Sequence, residues 1–411
     1  MDARRLRTAA VIAEFNPFHR GHAYLLRRCR ELGADCVLAV MSGNYVQRGG
    51  PAVFDRALRT KAALLCGADL VVELPLPFAM ATAERFAYGA VSLLKGLGMD
   101  QRDLLVFGSE AGSMEALTLA AGHCAAAEAS PLFRRFLEEG DSFASARQRA
   151  VEALCPASGE LLRQPNNALG VEYLRKLEQL ECPMVPYTLP RRGADHHSDT
   201  PREGFASASL LRRGVLEGRW EEIAGFFPRQ AAEVFREGLS QAAVPELGER
   251  AVLCRLRTLE RESLSRLPDC SEGIENRLWK SIRQACTFGQ LCDMMKTKRY
   301  PMARVRRLVY SAFLQLDGEL CRQAVPYCRP LGFTRRGEAL LARWKGEASI
   351  PVAHSLKRLE ESGELCRRFA QAEAAADDLY SLFQPSPRPC GAAYTSPVLR
   401  IDPTGYEKME E

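Results

Sequence analysis

The sequence lacks several features that would assign it to a familiar class. It has no apolar run of the roughly 18 residues that a membrane-spanning helix needs, so no membrane span is expected. Its fourteen cysteines include no CxxC pair, and the nearest two are Cys286 and Cys292, so a zinc ribbon or finger is not predicted. The glycine-rich P-loop is absent, and no repeat of solenoid length is visible.

The composition is that of an ordinary globular protein, and the chain is long. The 411 residues are 46% hydrophobic and 26% charged, with a net charge of +5. This length and composition predict two or three units with ample buried core. The apolar run at the start is too short for a secretory signal, so we expect a cytoplasmic protein with reduced thiols.

The first 42 residues have the pattern of a βαβ unit. "TAAVIAEF" suits a buried parallel strand, "NPFHRGH" a tight loop, and "AYLLRRCREL" a helix. "GADCVLAVMSG" then supplies a helix-ending glycine and a second apolar strand. The expected fold class is therefore α/β with a parallel sheet.

The loop of this unit has the chemistry of a phosphate site. Ligands of parallel sheets bind at the carboxyl ends of strands, where helix N-termini offer N–H groups and partial positive charge. His19 and His22, three residues apart, fall in the first helical turn and can donate hydrogen bonds to phosphate oxygens. Gly21 permits close approach of the backbone. Two histidines could also be half of a metal site, but spacing places no third ligand, so no metal is predicted.

Longer stretches resemble a known family. "HRGH" is similar to the HxGH signature of the nucleotidylyltransferase superfamily. "AEFNPFHRGHAYLL", the run from "MSGNYVQRGG" to "FAYGAVSLL", and "FGSE" resemble the bacterial tRNA(Met) cytidine acetate ligase family. So do "RQPNNALGVEYL", "PYTLPRRGADHHSD", "FASASLLRRG" and "PYCRPLGFTRRGEALL". The resemblance extends to about Leu341.

The resemblance implies an activity and a fold. Enzymes of this family use ATP and acetate to form acetyl-adenylate and release pyrophosphate. They then pass the acetyl group to the exocyclic amine of the wobble cytidine of elongator methionine tRNA. The implied fold is a nucleotidylyltransferase-type Rossmann domain followed by a mostly helical domain. The implied cofactor and co-substrate are ATP, expected to carry Mg²⁺ itself, and acetate.

The resemblance also implies site residues. His19 and His22 are the expected catalytic pair. The expected ATP-binding residues are Ile12, Ala13, Glu14, Phe15, Asn16, Pro17, Phe18, His19, Arg20, Gly21, His22, Ala23, Tyr24, Leu25, Gly108, Asn166, Asn167, Arg191, Ser207 and Arg212. Either asparagine of "PNN" could contact nucleotide, while the other caps the following helix. Ser207 or Ser209 is expected to cap a helix from which Arg212 faces the β- and γ-phosphates.

Other motifs admit a functional and a structural interpretation. The polar loop from Ser42 to Gly50 could build an acetate pocket beside the site, or be a plain surface loop. Glu73 ends a strand, where it could act in the site or pair with an arginine. Arg59 and Lys61 could belong to a solvated helix face or reach phosphate or RNA.

Basic residues concentrate in the second half. Between Arg250 and Arg307 there are fourteen Lys or Arg and six Asp or Glu, with Tyr300 and Tyr310 interleaved. A basic helical stripe with aromatics is typical of a nucleic-acid surface, although it could be a solvated face. The predicted tRNA-binding residues are Lys296, Lys298, Arg299, Arg304, Arg306 and Arg307.

These patterns divide the chain into three expected segments. Residues 1–215 are the expected catalytic domain, 216–345 the basic helical domain, and 346–411 a C-terminal helix with a proline-rich arm or linker. Two other functions stay open from the residues: a small-molecule adenylyltransferase that makes a dinucleotide cofactor, and a non-catalytic RNA-binding protein. A basic helical half favours action on tRNA, because a small-molecule enzyme does not need it.

Overall fold

A computed structural model describes residues 6–191, 204–271 and 273–401. The described residues form a seven-stranded sheet in the order β5-β4-β1-β2-β3-β6-β7. The strands are β1 Thr8–Ala13, β2 Cys36–Ser42, β3 Leu70–Leu74, β4 Leu104–Ser109, β5 Val185–Pro190, β6 Arg329–Phe333 and β7 Leu399–Arg400.

Helices cover both faces of this sheet and build the second half of the chain. Those of the first part are α1 Arg20–Glu31, α2 Arg56–Leu65, α3 Leu76–Ala79, α4 Ala83–Gly96, α5 Met114–Ala129, α6 Pro131–Glu138, α7 Phe143–Leu154, α8 Pro156–Leu162 and α9 Pro165–Gln179. The second part contains α10 Ala208–Leu216, α11 Trp220–Ile223, α12 Arg229–Gly238, α13 Pro245–Arg257, α14 Ile274–Gln284, α15 Phe288–Met295 and α16 Met302–Leu314. The last are α17 Arg335–Glu347, α18 Leu356–Glu360, α19 Glu364–Tyr380 and α20 Ala392–Thr395. Short 3₁₀ turns lie at Ala224–Phe226, Leu239–Gln241, Arg261–Arg266, Leu320–Arg322 and Ser381–Phe383.

The central strands are apolar because both of their faces are covered. Every residue of β2 and β3 is buried, as continuous apolar runs of parallel strands predict. Alternate residues of β1 point into two cores: Ala10 joins one hydrophobic cluster, while Ala9 and Val11 join the other. The expected α/β fold with a Rossmann-type sheet is confirmed.

The strand order places the candidate site. β1 pairs in parallel with β2 on one side and with β4 on the other. The chain therefore leaves β1 and β4 toward opposite sides, which opens a crevice at their carboxyl ends. The HxGH turn follows β1, and "FGSE" forms the end of β4 and the residue after it, so the two meet at this crevice.

Two late strands extend the sheet beyond the sequence-based expectation. β6 runs antiparallel to β3, and β7 pairs in parallel with β6. The sheet is therefore mixed, and residues 216–345 and 346–411 each add one strand to it. The boundaries expected at 215 and 345 stay a prediction.

The proline-rich C-terminal stretch is not the extended arm or linker that its composition suggested. Gln384 is buried and donates through Nε2 to the carbonyl of Gln241 at 2.9 Å. Arg388 pairs with Asp55 at 3.6 Å, and the chain then enters β7. This proline-rich segment packs along the domain, because its tertiary contacts outweigh the preference of prolines for a free extended chain.

Candidate active site

The turn that follows β1 is anchored by its own buried residues. Phe15 and Phe18 are fully buried, with ring centroids 5.0 Å apart. The side-chain oxygen of Asn16 accepts a hydrogen bond from the N–H of Val53 at 2.9 Å. The peptide bond from Asn16 to Pro17 is cis. This anchoring sets His19 at the start of α1.

The two histidines cap the helix that they begin. His19 is the N-cap residue, and its Nδ1 accepts from the N–H of Gly21 at 3.0 Å. Nδ1 of His22 accepts in turn from the N–H of His19 at 3.2 Å. The ring centroids lie 3.9 Å apart. Because both Nδ1 atoms are acceptors, each neutral ring carries its proton on Nε2.

Both imidazoles are held neutral. Burial, followed by the charges of Arg191 and Arg212, lowers the pKa of His19 to about 3. Burial, then His19 and Arg191, lower the pKa of His22 well below its usual value. At neutral pH the pair therefore presents two uncharged Nε2–H donors, which suit the oxygens of a bound phosphate.

Gly21 is required by the first histidine rather than by an unusual backbone angle. A Cβ at this position would lie 2.8 Å from Cε1 and 3.0 Å from Nδ1 of His19. The glycine of the HxGH motif therefore makes room for the capping imidazole, a role that the sequence alone did not reveal.

Arg191 approaches the histidines from the end of β5. Its N–H donates to the carbonyl of Ser109 at 3.0 Å, which continues the β4–β5 ladder. Its Cγ lies 3.4 Å from the position of a Cβ at Gly108. Gly108 thus leaves space for the arginine as it passes toward the histidines.

Arg212 closes the other side of the turn. Its Nη1 donates to the carbonyl of Asn16 at 2.8 Å, and its Nη2 donates to Oγ of Ser209 at 3.0 Å. Ser207 caps α10, because its Oγ accepts from the N–H of Leu210 at 3.1 Å. The predicted cap is confirmed, and the structure brings Arg212 against the HxGH turn.

The two asparagines of "PNN" lie in the first turn of α9, whose N-cap is Gln164. The prediction that an asparagine caps this helix is wrong. The carboxylate of Glu110 takes that role and accepts from the N–H groups of Asn166 at 3.4 Å and Asn167 at 2.8 Å. Asn167 is buried, with its amide bonded to Ala111 N–H and to a carbonyl of α8. Asn166 is the more exposed of the two.

Arg59 is the residue that sequence reasoning placed wrongly. It is fully buried, so it does not lie on a solvated face or reach RNA. Its guanidinium donates to the carbonyls of Phe54, Glu14, Ser42 and Gly43, and thereby joins the ends of β1 and β2. A signal was available, because Arg59 shares a helical face with Ala62 and Ala63, which are both buried.

Glu73 pairs with an arginine, which is the structural of its two interpretations. Its Oε2 pairs with Arg329 at 3.0 Å, and its Oε1 lies 3.6 Å from Arg56. Asn44 belongs to the same buried network, since its Nδ2 donates to Asp377 at 2.6 Å. Neither side chain lines the crevice beside the histidines.

The predicted RNA residues occupy three separate places. Lys298 pairs with Asp141 at 3.0 Å, and Arg299 donates to Gly140 at 3.5 Å. Arg304 and Arg307 both bond to the turn at Asp269, while Lys296 is exposed.

Arg306 has a different neighbour, because its Nε donates to the carbonyl of Gly49 at 3.0 Å. The interleaved tyrosines are not surface groups. Tyr300 and Tyr310 are buried in the helical core, so the expectation of exposed aromatics is wrong.

The described residues hold neither a metal cluster nor a membrane-spanning helix. They contain no cluster of three or more His, Cys, Asp or Glu that could hold a metal ion. No helix among them is long and apolar enough to cross a membrane. Arg192, His196 and His197, which belong to the "PYTLPRRGADHHSD" stretch that carries part of the family resemblance, lie outside the described residues.

Known proteins are similar to this chain in both sequence and fold. The HIGH nucleotidyl transferase family matches residues 6–392. A tRNA(Met) cytidine acetate ligase of Thermoanaerobacter sp. (strain X514) is 32% identical over 402 residues, which are 95% of this chain and 99% of that protein. The Clostridium kluyveri protein of the same name is 35% identical over 373 residues, covering 86% and 90%.

Solved structures agree with the sequence matches. The apo crystal structure of Thermotoga maritima TmcAL superposes with a TM-score of 0.88 at 29% identity, covering 97% of this chain and 100% of that one. A second structure of that protein, bound with alpha-thio ATP, has a TM-score of 0.87 at the same identity and coverage. The chain therefore belongs to the HIGH nucleotidyl transferases and, within them, to the tRNA(Met) cytidine acetate ligase family.

Proposed function

We propose that this protein uses ATP to activate acetate as acetyl-adenylate and acetylates the exocyclic amine of the wobble cytidine of elongator tRNA(Met). Relatives that match nearly the whole chain have the name of this activity. A related protein of the same fold binds an ATP analogue. The observation that carries the proposal is the neutral, Nε2-donating histidine pair at the start of α1.

The first step is an in-line displacement at the α-phosphate. A carboxylate oxygen of acetate forms a bond to phosphorus, and pyrophosphate leaves with the electron pair of the broken P–O bond. Such a step depends on positioning and on neutralising charge. His19 and His22 supply N–H donors, and Arg191 and Arg212 supply positive charge on either side of them.

The second step transfers the acetyl group. The cytidine amine attacks the acetyl carbonyl, the C–N bond forms, and AMP leaves with the electrons of the C–O bond. The amine loses one proton to solvent. A wobble base is already unstacked in its loop, so it can enter a crevice at a sheet edge.

The donor set around the histidines is cationic, and it suits phosphate better than a metal. Mg²⁺ would therefore be held mainly by the ATP phosphates, with few protein ligands. When bound, it would neutralise charge on the pyrophosphate.

The same geometry supports the ATP contacts expected from the sequence. The backbone from Ile12 to Leu25 forms the end of β1, the turn and the start of α1, and Gly108 opens the opposite side. We assign the nucleotide contact of "PNN" to Asn166, because Asn167 is buried, whereas Asn166, whose Nδ2 donates to Glu110 at 2.6 Å, is the more exposed of the two. A tRNA substrate implies a cytoplasmic location.

ATP–pyrophosphate exchange, measured with and without acetate, tests the first step. We expect acetate-dependent exchange in the absence of RNA. His19→Asn keeps a side chain that caps helices well but removes the Nε2–H donor, so exchange should fall about 10²–10³-fold, as when a single transition-state donor is lost.

His123→Asn is the matched control. His123 lies on α5, where its Nδ1 contacts Oγ of Ser158 at 2.8 Å, away from the crevice. This variant should exchange like the wild type. Exchange that ignores acetate, or an equal loss in both variants, would reject the proposal.

A further inference from the structure

The loop of residues 43–50, which follows β2, is closed by its own hydrogen bonds. The N–H of Val46 donates to the carbonyl of Gly50 at 3.1 Å, and the N–H of Gly49 donates to the carbonyl of Val46 at 3.0 Å. Tyr45 and Pro51 form an antiparallel bridge at its base. The loop can therefore move or bind as one unit.

One side of this loop touches the HxGH turn. The N–H of Gln47 donates to Oε1 of Glu14 at 2.9 Å. Glu14 lies directly before Phe15 at the carboxyl end of β1 and is part of the proposed ATP site. A shift of the loop would change the position of this carboxylate.

The other side of the loop sits on the backbone of α16. A Cβ at Gly49 would lie 2.5 Å from the nitrogen of Arg307 and 2.7 Å from the carbonyl carbon of Arg306. The φ angle of Gly49 is +78°, which also disfavours any other residue. The Arg306 guanidinium donates to the carbonyl of Gly49 at 3.0 Å, and its Nη2 lies 3.0 Å from the position of a Cβ at Gly50.

Positive charge gathers where the loop meets the site. Arg48 is exposed on the loop, and Arg306 stands on the helix beside it. Burial lowers the pKa of Arg212, the Glu14 carboxylate opposes this, and the charges of Arg48 and Arg306 lower it further, so both arginines act on the guanidinium that bonds to the HxGH turn. Three arginines from three segments form a place for a phosphate of an extended nucleic-acid strand.

We propose that loop 43–50 is a positioning element through which an RNA strand bound at Arg48 and Arg306 strengthens ATP binding at the HxGH turn. This inference rests on the proposed function, and it names the part of the basic surface that communicates with the site. The contacts at Gly49 and Gln47 form the connection. Lys298, Arg299, Arg304 and Arg307 bond to other parts of the chain.

The test measures ATP affinity by titration calorimetry with Mg²⁺ present, acetate absent, and elongator tRNA(Met) transcript either absent or saturating. Coupling between two sites typically changes affinity about 5–150-fold, and we expect wild-type ATP affinity to rise about tenfold with tRNA. Reciprocity requires ATP to raise tRNA affinity by the same factor.

Gly49→Ala is the decisive variant, because its methyl group would push the loop off α16. In this variant we expect tRNA to raise ATP affinity by less than about twofold, which is below the range of about 5–150-fold that is typical of coupled sites. Gly122→Ala on α5 is the matched control, since a Cβ there meets nothing within 4 Å, and it should keep full coupling.

A second pair of variants covers the case in which Gly49→Ala does not fold. Arg306→Lys keeps the charge but loses the Nε donor to the loop, and it should reduce coupling more than it reduces tRNA affinity. Arg229→Lys is the control, since Arg229 is exposed, pairs with Glu233 and is not among the predicted tRNA-binding residues, and this variant should keep coupling.

Several results would overturn the inference. The first is a wild type without coupling, and the second is full coupling in Gly49→Ala or Arg306→Lys. The third is a loss of ATP affinity in Gly49→Ala that is as large without tRNA as with it. The last would make the loop a wall of the ATP pocket. Because acetate is absent, coupling can hold even if acetate-dependent exchange fails, so the two proposals fail separately.

Discussion

Replacing Arg59 by methionine should destabilise the protein without removing any group that touches substrate. The guanidinium is fully buried and donates to four backbone carbonyl oxygens, three at the ends of β1 and β2 and one, that of Phe54, just before α2. Methionine fills similar space but leaves those oxygens without these donors. At about 1 kcal/mol net for each hydrogen bond, the loss is about 4 kcal/mol.

This loss converts into a measurable melting temperature. An unfolding entropy of about 2.1 cal/mol/K per residue gives about 0.9 kcal/mol/K for a chain of this length. The expected shift for Arg59→Met is therefore about 5 °C downward by calorimetry. Arg229→Met is the control, because Arg229 is exposed and pairs with Glu233 on the same helix face. A shift below about 1 °C in Arg59→Met, equal to the control, would refute the hydrogen-bond argument.

The remaining predictions concern the site and one helix. The lowered pKa of His19 means that the unfolded chain binds more protons between pH 6.5 and about 3. The free energy of unfolding should therefore fall as the pH drops through this range, and less steeply in His19→Asn; equal slopes in urea titrations would contradict it. Gly337→Ala should lower the melting temperature because its Cβ would overlap a backbone carbonyl, whereas Gly346→Ala in the same helix should not, since open space surrounds it; equal melting temperatures would contradict this. Asn166→Ala should weaken ATP binding more than stability, and Asn167→Ala the reverse, by calorimetry on both; the opposite order would exchange the two roles.

Much of the site could be predicted from sequence because its determinants are local. The strand, loop and helix around His19 follow one another within 25 residues, so hydrophobic pattern and motif sufficed. The cap at Ser207 was predictable for the same reason, since N-caps depend on residues three positions apart.

What could not be predicted depends on contacts between distant segments. β6 and β7 join the sheet more than 250 residues after β3, and a short apolar run does not predict which strand it will pair with. The buried position of Tyr300 and Tyr310 follows from the packing of the helical core. Glu110 replaces asparagine at the start of α9 because its carboxylate, directly after β4, reaches that helix.

The contact between Gly49 and α16 also joins distant segments, so it could not be predicted from the sequence. The sequence places Arg306 in a basic stripe and Gly49 in a polar loop, with no local signal that connects them. Their 3.0 Å hydrogen bond joins the two halves of the proposed enzyme. Only the folded chain brings the predicted ATP residues and one predicted RNA residue to the same loop.

Product analysis tests the central claim most directly. The purified protein is incubated with ATP, labelled acetate and elongator tRNA(Met), and the RNA is digested to nucleosides. We predict labelled acetylcytidine, with one AMP and one pyrophosphate formed for each acetyl group transferred. ADP and phosphate in place of AMP and pyrophosphate, or label outside cytidine, would contradict the assignment of this site to acetyl-adenylate chemistry on tRNA.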